Sequence, residues 1–557
     1  MQVNDVRKAD NEIPRASHAM DRREEYLSAG YWGTQSFASY LDHWSDAFPD
    51  HPYVSDGTRS YSYAELRDSS MRLACSLRRL GINHGDRVAV QMPNWCEYIL
   101  VYAACARLGA VMIPIVPVYR GKEVRFIVEN AGARVLITPG EFRGFDHAAM
   151  AAEIAAAAPT LTTTIVVRGA AVDGARSLDE LLSTDVHTAE EFAPGSADDR
   201  HLILYSSGTE SKPKGCLHTW NTSSFLPKQA VTALGLSRSD GMFMPAPVTH
   251  ALGMTLGVMA PTIAGAAIHL LDVFTADAAM QRIRDYRCTG TASPAPFIKM
   301  ILDRYDPALH DLSQLRFWLS AGAPIPGVLV DDAARLIPSC RLISAYGSSE
   351  VMMATVCQPG DPVERVVSSD GTPVPGVQIQ ITDADGKPVP TGVDGEICYR
   401  GPGRLIEYWG RPDLTAAATD DEGWWRTGDV GHLDDHGYLR VTGRLKDIII
   451  RGGFNISALE VEEALLRHPL IANVAVVGIA DPTVGERACA VIVLTDSRGP
   501  IPDLNGLRDF LHTTCQIAIW KVPERIEIVD ELPVTTTGKI QKSELRKRFS
   551  PVDPEAN

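Results

Sequence analysis

The sequence predicts an α/β and α+β protein in two parts: a large N-terminal domain of βαβ subdomains with a β-rich module, then a small α+β domain. Three observations predict it. The chain has 557 residues, more than one hydrophobic core supports, because cores stop growing near about 250–300 residues. From Ser60 onward, strand-like and helix-like segments alternate, which favours mostly parallel sheets built from βαβ units. The last stretch of about 110 residues carries a compact helix and strand pattern of its own, enough for a small domain.

The elements follow in order. "RVAVQ" (87–91), "AVMIPI" (110–115), "RVLIT" (134–138) and "LTTTIVVRG" (161–169) are expected strands, with a helix from Trp95 to Leu108. Val377–Ile381 and Gly395–Arg400, with Gly, Pro and Asp turns between strands, form the expected β-rich module. The segment "YLRVTGRLKDIIIRGG" (438–453) sets a polar knot, Gly443 to Asp447, between two strands, and the domain boundary is placed there, giving 1–445 and 446–557. Beyond it come helix 458–467, strands 473–479 and 489–494, helix 504–512 and strand 525–529. No internal repeat or low-complexity tract is present.

With 45% hydrophobic and 22% charged residues the composition is that of a globular protein. A formal net charge of −16 argues against a nucleic-acid or anionic-membrane partner, since both surfaces would repel it. An anionic ligand must then be met by locally placed donors. Ala251 to Leu271 has no formally charged residue over 21 positions, long enough to cross a bilayer. Pro261, Gly265 and the threonines break it, so a buried helix followed by a buried strand is expected and no transmembrane segment. The N-terminus lacks the apolar core of a secretory signal. Ten scattered cysteines without a C-x-x-C pair indicate neither a disulfide framework nor a zinc site, and reduced cytoplasm is the expected compartment.

The strongest local signal is "LILYSSGTESKPKG" (202–215), a buried strand running into a Ser/Thr/Gly loop that ends in Lys-Pro-Lys-Gly. Backbone N–H groups, hydroxyls and ammonium groups together suit a polyphosphate. No Gly-Lys-Ser/Thr follows Gly208 at the Walker spacing, so it is not that loop; taken alone it could be a polar surface loop. Four segments follow in order: "SAGAPIP" (320–326), "AYGSSE" (345–350), "GWWRTGD" (423–429) and "GRLKDIIIRGGFNIS" (443–457), with "LPVTTTGKIQK" (532–542) near the end. Together they resemble the adenylate-forming superfamily of acyl-CoA synthetases, nonribosomal adenylation domains and firefly-type luciferases, over residues 30 to 548. "AGYWG" (29–33), "SSGTE" (206–210), "MPAPVTHALG" (244–253) and "DVFTADA" (272–278) are most similar to short- or medium-chain fatty-acid and cyclohexanecarboxylate CoA ligases.

The resemblance implies ATP, Mg²⁺ and coenzyme A, and a role for each matching residue. Ser206, Ser207, Gly208, Thr209 and Lys214 would hold the β- and γ-phosphates. Gly322, Ala323 and Pro324 would line the adenine, Tyr346 would stack on it, and Gly347 belongs to the same nucleotide site. Ser349 would contact the α-phosphate, and Glu350 would ligate Mg²⁺. Asp429 would accept the ribose hydroxyls, assisted by Arg444. His250 would stand beside the acyl pocket, or else be a satisfied core histidine. Lys539 would supply the cation at the α-phosphate, or else be a solvated lysine. The C-terminal domain would rotate about Lys446, bringing Gly452 and Gly453 to a pantetheine tunnel, although two glycines there could be only a turn.

The implied activity is acyl-CoA ligation of a hydrophobic carboxylic acid, fatty, alicyclic or terpenoid-like, through an acyl-AMP. Glu210 and Ser211 depart from the usual Thr-Gly of the phosphate loop. A non-glycine at positive φ costs about 1–2 kcal/mol, so a thioester-only enzyme fed a preformed acyl-adenylate is an alternative. Others are loading of a carrier protein in trans, a luciferase-type oxygenase, and a non-catalytic acid or nucleotide sensor. Ser457 replaces a common Pro and Glu407 a common Gly, both with local consequences expected. Dimers are common in the superfamily, so a homodimer is a further expectation.

Overall fold

The structure, a computed structural model, describes residues 18–172, 174–183, 195–206, 213–322, 325–496, 503–534 and 540–550. Of these, 18–206, 213–378 and 399–425 form the larger of two compact units, and 379–398 with 426–550 form the smaller.

Among the described residues the larger unit is built on an eight-stranded and a nine-stranded sheet. In the first, Arg87–Gln91 lies between Val111–Ile115 and Val135–Pro139, parallel to both. Thr163–Val167 extends it on one side. Arg200–Tyr205, then antiparallel Gly215–Thr219 and Glu407–Tyr408, extend it on the other. The four strands expected from 87 to 169 therefore share one sheet. Their near-continuous apolar runs follow from burial of both faces, as parallel sheets require. Helix Cys96–Leu108 is buried almost all round; it starts one residue later than expected because Trp95 takes the extended N-cap conformation.

At the centre of the second sheet Gly241–Met244, Gly290–Ala292, Phe317–Ala321 and Arg341–Tyr346 run parallel. The uncharged run after His250 becomes helix Ala251–Met254, a π-helical turn Thr255–Met259, helix Ala260–Ala264 and strand Ala267–Leu270. The π-turn leaves no trace in apolar periodicity, but packing shows its use: a Cβ on Gly257 would lie 2.5 Å from Met244 Cγ. Among the described residues no helix is long and apolar enough to cross a membrane. All ten cysteines are free thiols.

A buried ion cluster ties the two sheets. Arg168, which follows strand Thr163–Val167, donates to Glu97 at 2.8 and 2.7 Å and also to Asp56, which follows strand Pro52–Ser55. Glu97 is fully buried, and Asp56 takes a further bond from the Cys96 N–H at 2.9 Å. Removing one partner of such a buried set leaves an uncompensated charge and destabilises by about 3–5 kcal/mol.

The smaller unit carries most of a four-stranded sheet in the order Gln378–Thr382, Gly395–Arg400, Trp425–Leu433, Leu439–Arg444. It also carries a five-stranded sheet centred on Gly485–Leu494. Helix Ala458–Leu465 packs Val461 and Leu465 onto Val476, Ala488 and Leu511. Ile471–Asp481 and Gly485–Leu494 form one long hairpin, reaching past the expected 473–479 and 489–494. The added residues include polar Glu486 and Arg487, which the backbone ladder holds in place without burial.

Burial pushes His201 down to about 3, and His147, His218 and His269 down to about 4. Each is thus neutral in the folded protein, whereas the unfolded chain protonates near 6.5. The stability they confer is complete above pH 6.5 and is lost as pH falls toward 4, by at most about 1.4 kcal/mol per pH unit for each histidine. The melting temperature should therefore fall with steepening slope below pH 6.5 in calorimetric scans. His269→Gln should lower the proton uptake on unfolding by about one; an unchanged slope would contradict this account.

Candidate active site

The loop singled out at 202–215 closes a β-hairpin. Arg200–Tyr205 pairs antiparallel with Gly215–Thr219 up to Tyr205 and Gly215, and the Ser206 N–H donates to the Lys214 carbonyl at 2.9 Å. Ser206 and Lys214 thereby close the end of the paired strands. Ser207, Gly208, Thr209, Glu210, Ser211 and Lys212 lie outside the described residues.

Lys214 and Glu350 meet through Tyr408. The Lys214 Nζ sits 5.0 Å from the centroid of the Tyr408 ring, a cation–π geometry. The Tyr408 hydroxyl donates to Glu350 Oε1 at 2.9 Å. Burial, and then the Glu350 charge, raise the tyrosine pKa well above its usual value, so the hydroxyl keeps its proton and remains a donor. Tyr408 reaches this place because it pairs with Cys216, two residues after Lys214.

The backbone of the 345–350 segment is held as firmly. Parallel strands Phe317–Ala321 and Arg341–Tyr346 are in register at Ala321 and Ala345, which sets Gly322 and Tyr346 side by side at their carboxyl ends, the usual place of ligand sites in parallel sheets. A Cβ on Gly347 would lie 1.9 Å from the Met352 carbonyl oxygen, so no side chain fits there. The Leu405 N–H donates to the Glu350 carbonyl at 2.7 Å. His218 Nε2 lies 2.8 Å from the Ser349 carbonyl, and its Nδ1 lies 3.1 Å from Thr222 Oγ1. A carbonyl only accepts, so Nε2 carries the proton and Nδ1 accepts from Thr222. Ala323 and Pro324 lie outside the described residues.

His250 is half-buried at the N-cap of helix Ala251–Met254, its N–H donating to the Pro247 carbonyl at 3.0 Å. The segment leading to it hangs on Asn94. That buried amide donates to the carbonyls of Ala246 (2.9 Å), Leu271 (3.0 Å) and Met244 (3.2 Å), and accepts from the Val248 N–H at 2.9 Å.

In the smaller unit, Asp429 and Arg444 are direct partners across antiparallel strands and pair at 2.8 Å. Glu396 holds the turn before Asp429, taking bonds from Arg426 Nε at 2.8 Å and the Gly428 N–H at 3.2 Å. Lys446 lies in the 3₁₀ turn Leu445–Asp447. Gly452 and Gly453, at φ 56° and 84°, are the two residues between paired Arg451 and Phe454, a loop length that selects turns with positive φ. The turn by itself accounts for both glycines. Lys539 lies outside the described residues.

The model for AMP-binding enzymes matches residues 41–409, and that for the AMP-binding enzyme C-terminal domain matches residues 460–539. The chain belongs to the AMP-binding enzyme family. It is thereby an adenylate-forming enzyme. It is similar to the medium-chain fatty-acid–CoA ligase of Escherichia coli (strain K12), 36% identical over 528 residues, 94% of this chain and 92% of that one. It is also similar to the salicylyl-CoA synthase / salicylate adenylyltransferase of a Streptomyces species, 32% identical over 96% of this chain and 97% of that one. The crystal structure of the anthranilate CoA ligase AuaEII with anthranoyl-AMP matches with a TM-score of 0.83 at 27% identity, covering 92% of this chain and 97% of that one.

Tyr408, His218, Asn94 and Glu396 are residues of this AMP-binding enzyme that sequence reasoning did not single out. Tyr408 and His218 stand in strands, where side-chain direction follows from pairing and not from local pattern. His218→Leu should leave the Ser349 carbonyl unpaired, at about 1–3 kcal/mol, and lower the melting temperature by several degrees. An unchanged melting temperature would show that this bond does not hold the segment.

Proposed function

We propose that this AMP-binding enzyme is an acid–thiol ligase, joining a hydrophobic carboxylic acid to coenzyme A through an acyl-AMP intermediate. The observation that carries the reading is the convergence of Lys214, Tyr408 and Glu350 beside the strand ends that bear Gly322 and Tyr346, in a chain matched by family models in both its parts. The names of its relatives support a medium-chain or aryl acid as substrate.

The chemistry assigns the residues. A carboxylate oxygen attacks the α-phosphorus of ATP and pyrophosphate leaves; the CoA thiolate then attacks the acyl carbon and AMP leaves. Ser206 to Lys214 hold the terminal phosphates, with the ammonium of Lys214 kept in place by the Tyr408 ring. Tyr346, Gly347 and Gly322, with Ala323 and Pro324, take the adenine, Ser349 takes the α-phosphate, and Asp429 with Arg444 takes the ribose. His250 stands beside the acid. Lys539 neutralises the encounter of two anions, on a scale of about 3–4 kcal/mol for one such donor. Lys446 is the hinge between domains 1–445 and 446–557, and Gly452 and Gly453 let the pantetheine arm pass close to backbone.

A magnesium ion fits the residues present. Mg²⁺ is commonly held by one or two carboxylates together with substrate phosphates, so Glu350 suffices. The Tyr408 hydroxyl orients one of its oxygens, and the other would ligate. Bound there, the ion would offset phosphate charge.

The test is a mass-spectrometric screen of octanoate, cyclohexanecarboxylate, salicylate and related acids with ATP, Mg²⁺ and CoA, scoring adenylate and thioester separately. One acid giving both products is expected, and tight acid binding without either product would point to a sensor. Lys539→Ala should slow adenylate formation by about 100- to 1000-fold while thioester formation from synthetic acyl-AMP persists. Ser211→Gly should raise ATP–pyrophosphate exchange, since it removes about 1–2 kcal/mol of strain wherever that position needs positive φ. Exchange no faster than wild type would show that Ser211 does not limit ATP use.

A further inference from the structure

Strand Gly215–Thr219, entered directly from Lys214, runs between the strand that ends at Tyr205 and the strand that ends at Tyr408. Asn130, in the last turn of helix Gly121–Ala131, grips both neighbours. The Tyr205 hydroxyl donates to the Asn130 side-chain oxygen at 2.6 Å. The Trp409 indole N–H donates to the Asn130 carbonyl at 3.2 Å. Between these two aromatic residues lies Gly215, which pairs with Tyr205 and accepts the Trp409 N–H at 2.7 Å. A Cβ on Gly215 would lie 3.1 Å from Tyr205 Cζ and 3.2 Å from Trp409 Cβ. The clamp thus closes on the residue next to Lys214.

Alternation along the strands explains why this grip bears on the ammonium. Successive side chains of a strand point to opposite faces. Tyr205 and Trp409 take the face toward the helix, packed on a core that includes Val124, Ile127 and Ala131. Tyr408 takes the other face, with the Lys214 Nζ 5.0 Å from its ring and Glu350 on its hydroxyl. Asn130 therefore fixes from behind the strip of sheet whose front carries Lys214.

The two bonds to Asn130 differ in what a substitution removes. Trp409 is held through the backbone carbonyl of residue 130, and its ring also lies 5.4 Å from the Arg200 guanidinium. That bond survives any side-chain change at 130. The Tyr205 bond does not. Burial raises the Tyr205 hydroxyl above its usual value, so it keeps its proton and donates at neutral pH.

We propose that Asn130 is a positioning residue for the triphosphate: it sets the strand ends at Lys214 through Tyr205 and Trp409, so that ATP affinity depends on it and AMP affinity does not. This rests on the function proposed above, which puts the terminal phosphates at Lys214. AMP carries neither of them.

The test titrates the full-length enzyme by calorimetry with Mg·α,β-methylene-ATP, which cannot be cleaved between its α- and β-phosphorus, and separately with AMP. No acid substrate is needed. Asn130→Ala should weaken binding of the ATP analogue about 3- to 10-fold, the scale of one lost hydrogen bond, with AMP within about two-fold of wild type. Tyr205→Phe removes the same bond from its other end and should give the same shift. The double variant should be no weaker than either single one, because the two residues share one interaction. Asn130→Asp keeps an oxygen for the tyrosine and should bind both ligands within about two-fold of wild type. The control is Arg125→Gln: Arg125 pairs with Glu129 at 2.7 Å on the same helix, and its loss should change neither affinity. Equal weakening of both ligands in Asn130→Ala, additive losses in the double variant, or an unchanged affinity for the analogue would each overturn the proposal. A wild-type enzyme that binds neither nucleotide would instead remove the proposed function, and this inference with it.

Discussion

The hydrogen bond from His218 to the Ser349 carbonyl is the constraint on which the site in the larger unit depends. His218 belongs to the eight-stranded sheet and Ser349 follows a strand of the nine-stranded one. The neighbouring bond from Tyr408 to Glu350 spans the same junction. Loosening either would let the carboxylate and the ammonium of Lys214 drift relative to the strand ends. Burial keeps His218 neutral, so this clasp is a fixed donor at any pH where the protein is folded, not a titrating switch.

A protein of net charge −16 that handles polyphosphate and a carboxylate cannot draw on a basic surface. The structure holds single cations, each oriented by a specific neighbour: Lys214 by an aromatic ring, Arg444 by Asp429, Arg546 by Asp447 and a carbonyl. Such placement favours geometry over field strength. A guanidinium or ammonium held by a neighbour in this way has already lost most of its rotamer freedom.

Buried charge is used for cohesion in both units. Arg168 with Asp56 and Glu97, and Lys542 with Glu462, are pairs whose members also accept backbone N–H bonds. Those extra bonds matter, because Coulomb attraction alone rarely offsets the desolvation of a buried pair. Each pair joins elements far apart in sequence: the first the two sheets of the larger unit, the second helix Lys542–Phe549 and helix Ala458–Leu465.

By itself the sequence determined the strand and helix series, the α/β character and the superfamily. Apolar runs of strand length, glycines at tight turns and ordered polar segments are local signals, and they survive without knowledge of partners. It also pointed to Lys214, Glu350, Asp429 and Arg444, two pairs whose members the structure links within their own units. The tertiary structure alone decided that Tyr408 joins Lys214 to Glu350, that His218 holds Ser349, that Asn94 carries the segment before His250, and that Arg546 reaches Lys446. It also showed that the Ser457 hydroxyl bonds the Thr442 carbonyl, a contact that the proline more common at that position could not make. These links run between strands or across about 15 to 190 residues of chain, where register and packing set the neighbours, and no periodicity in a linear sequence records which side chains a fold brings face to face.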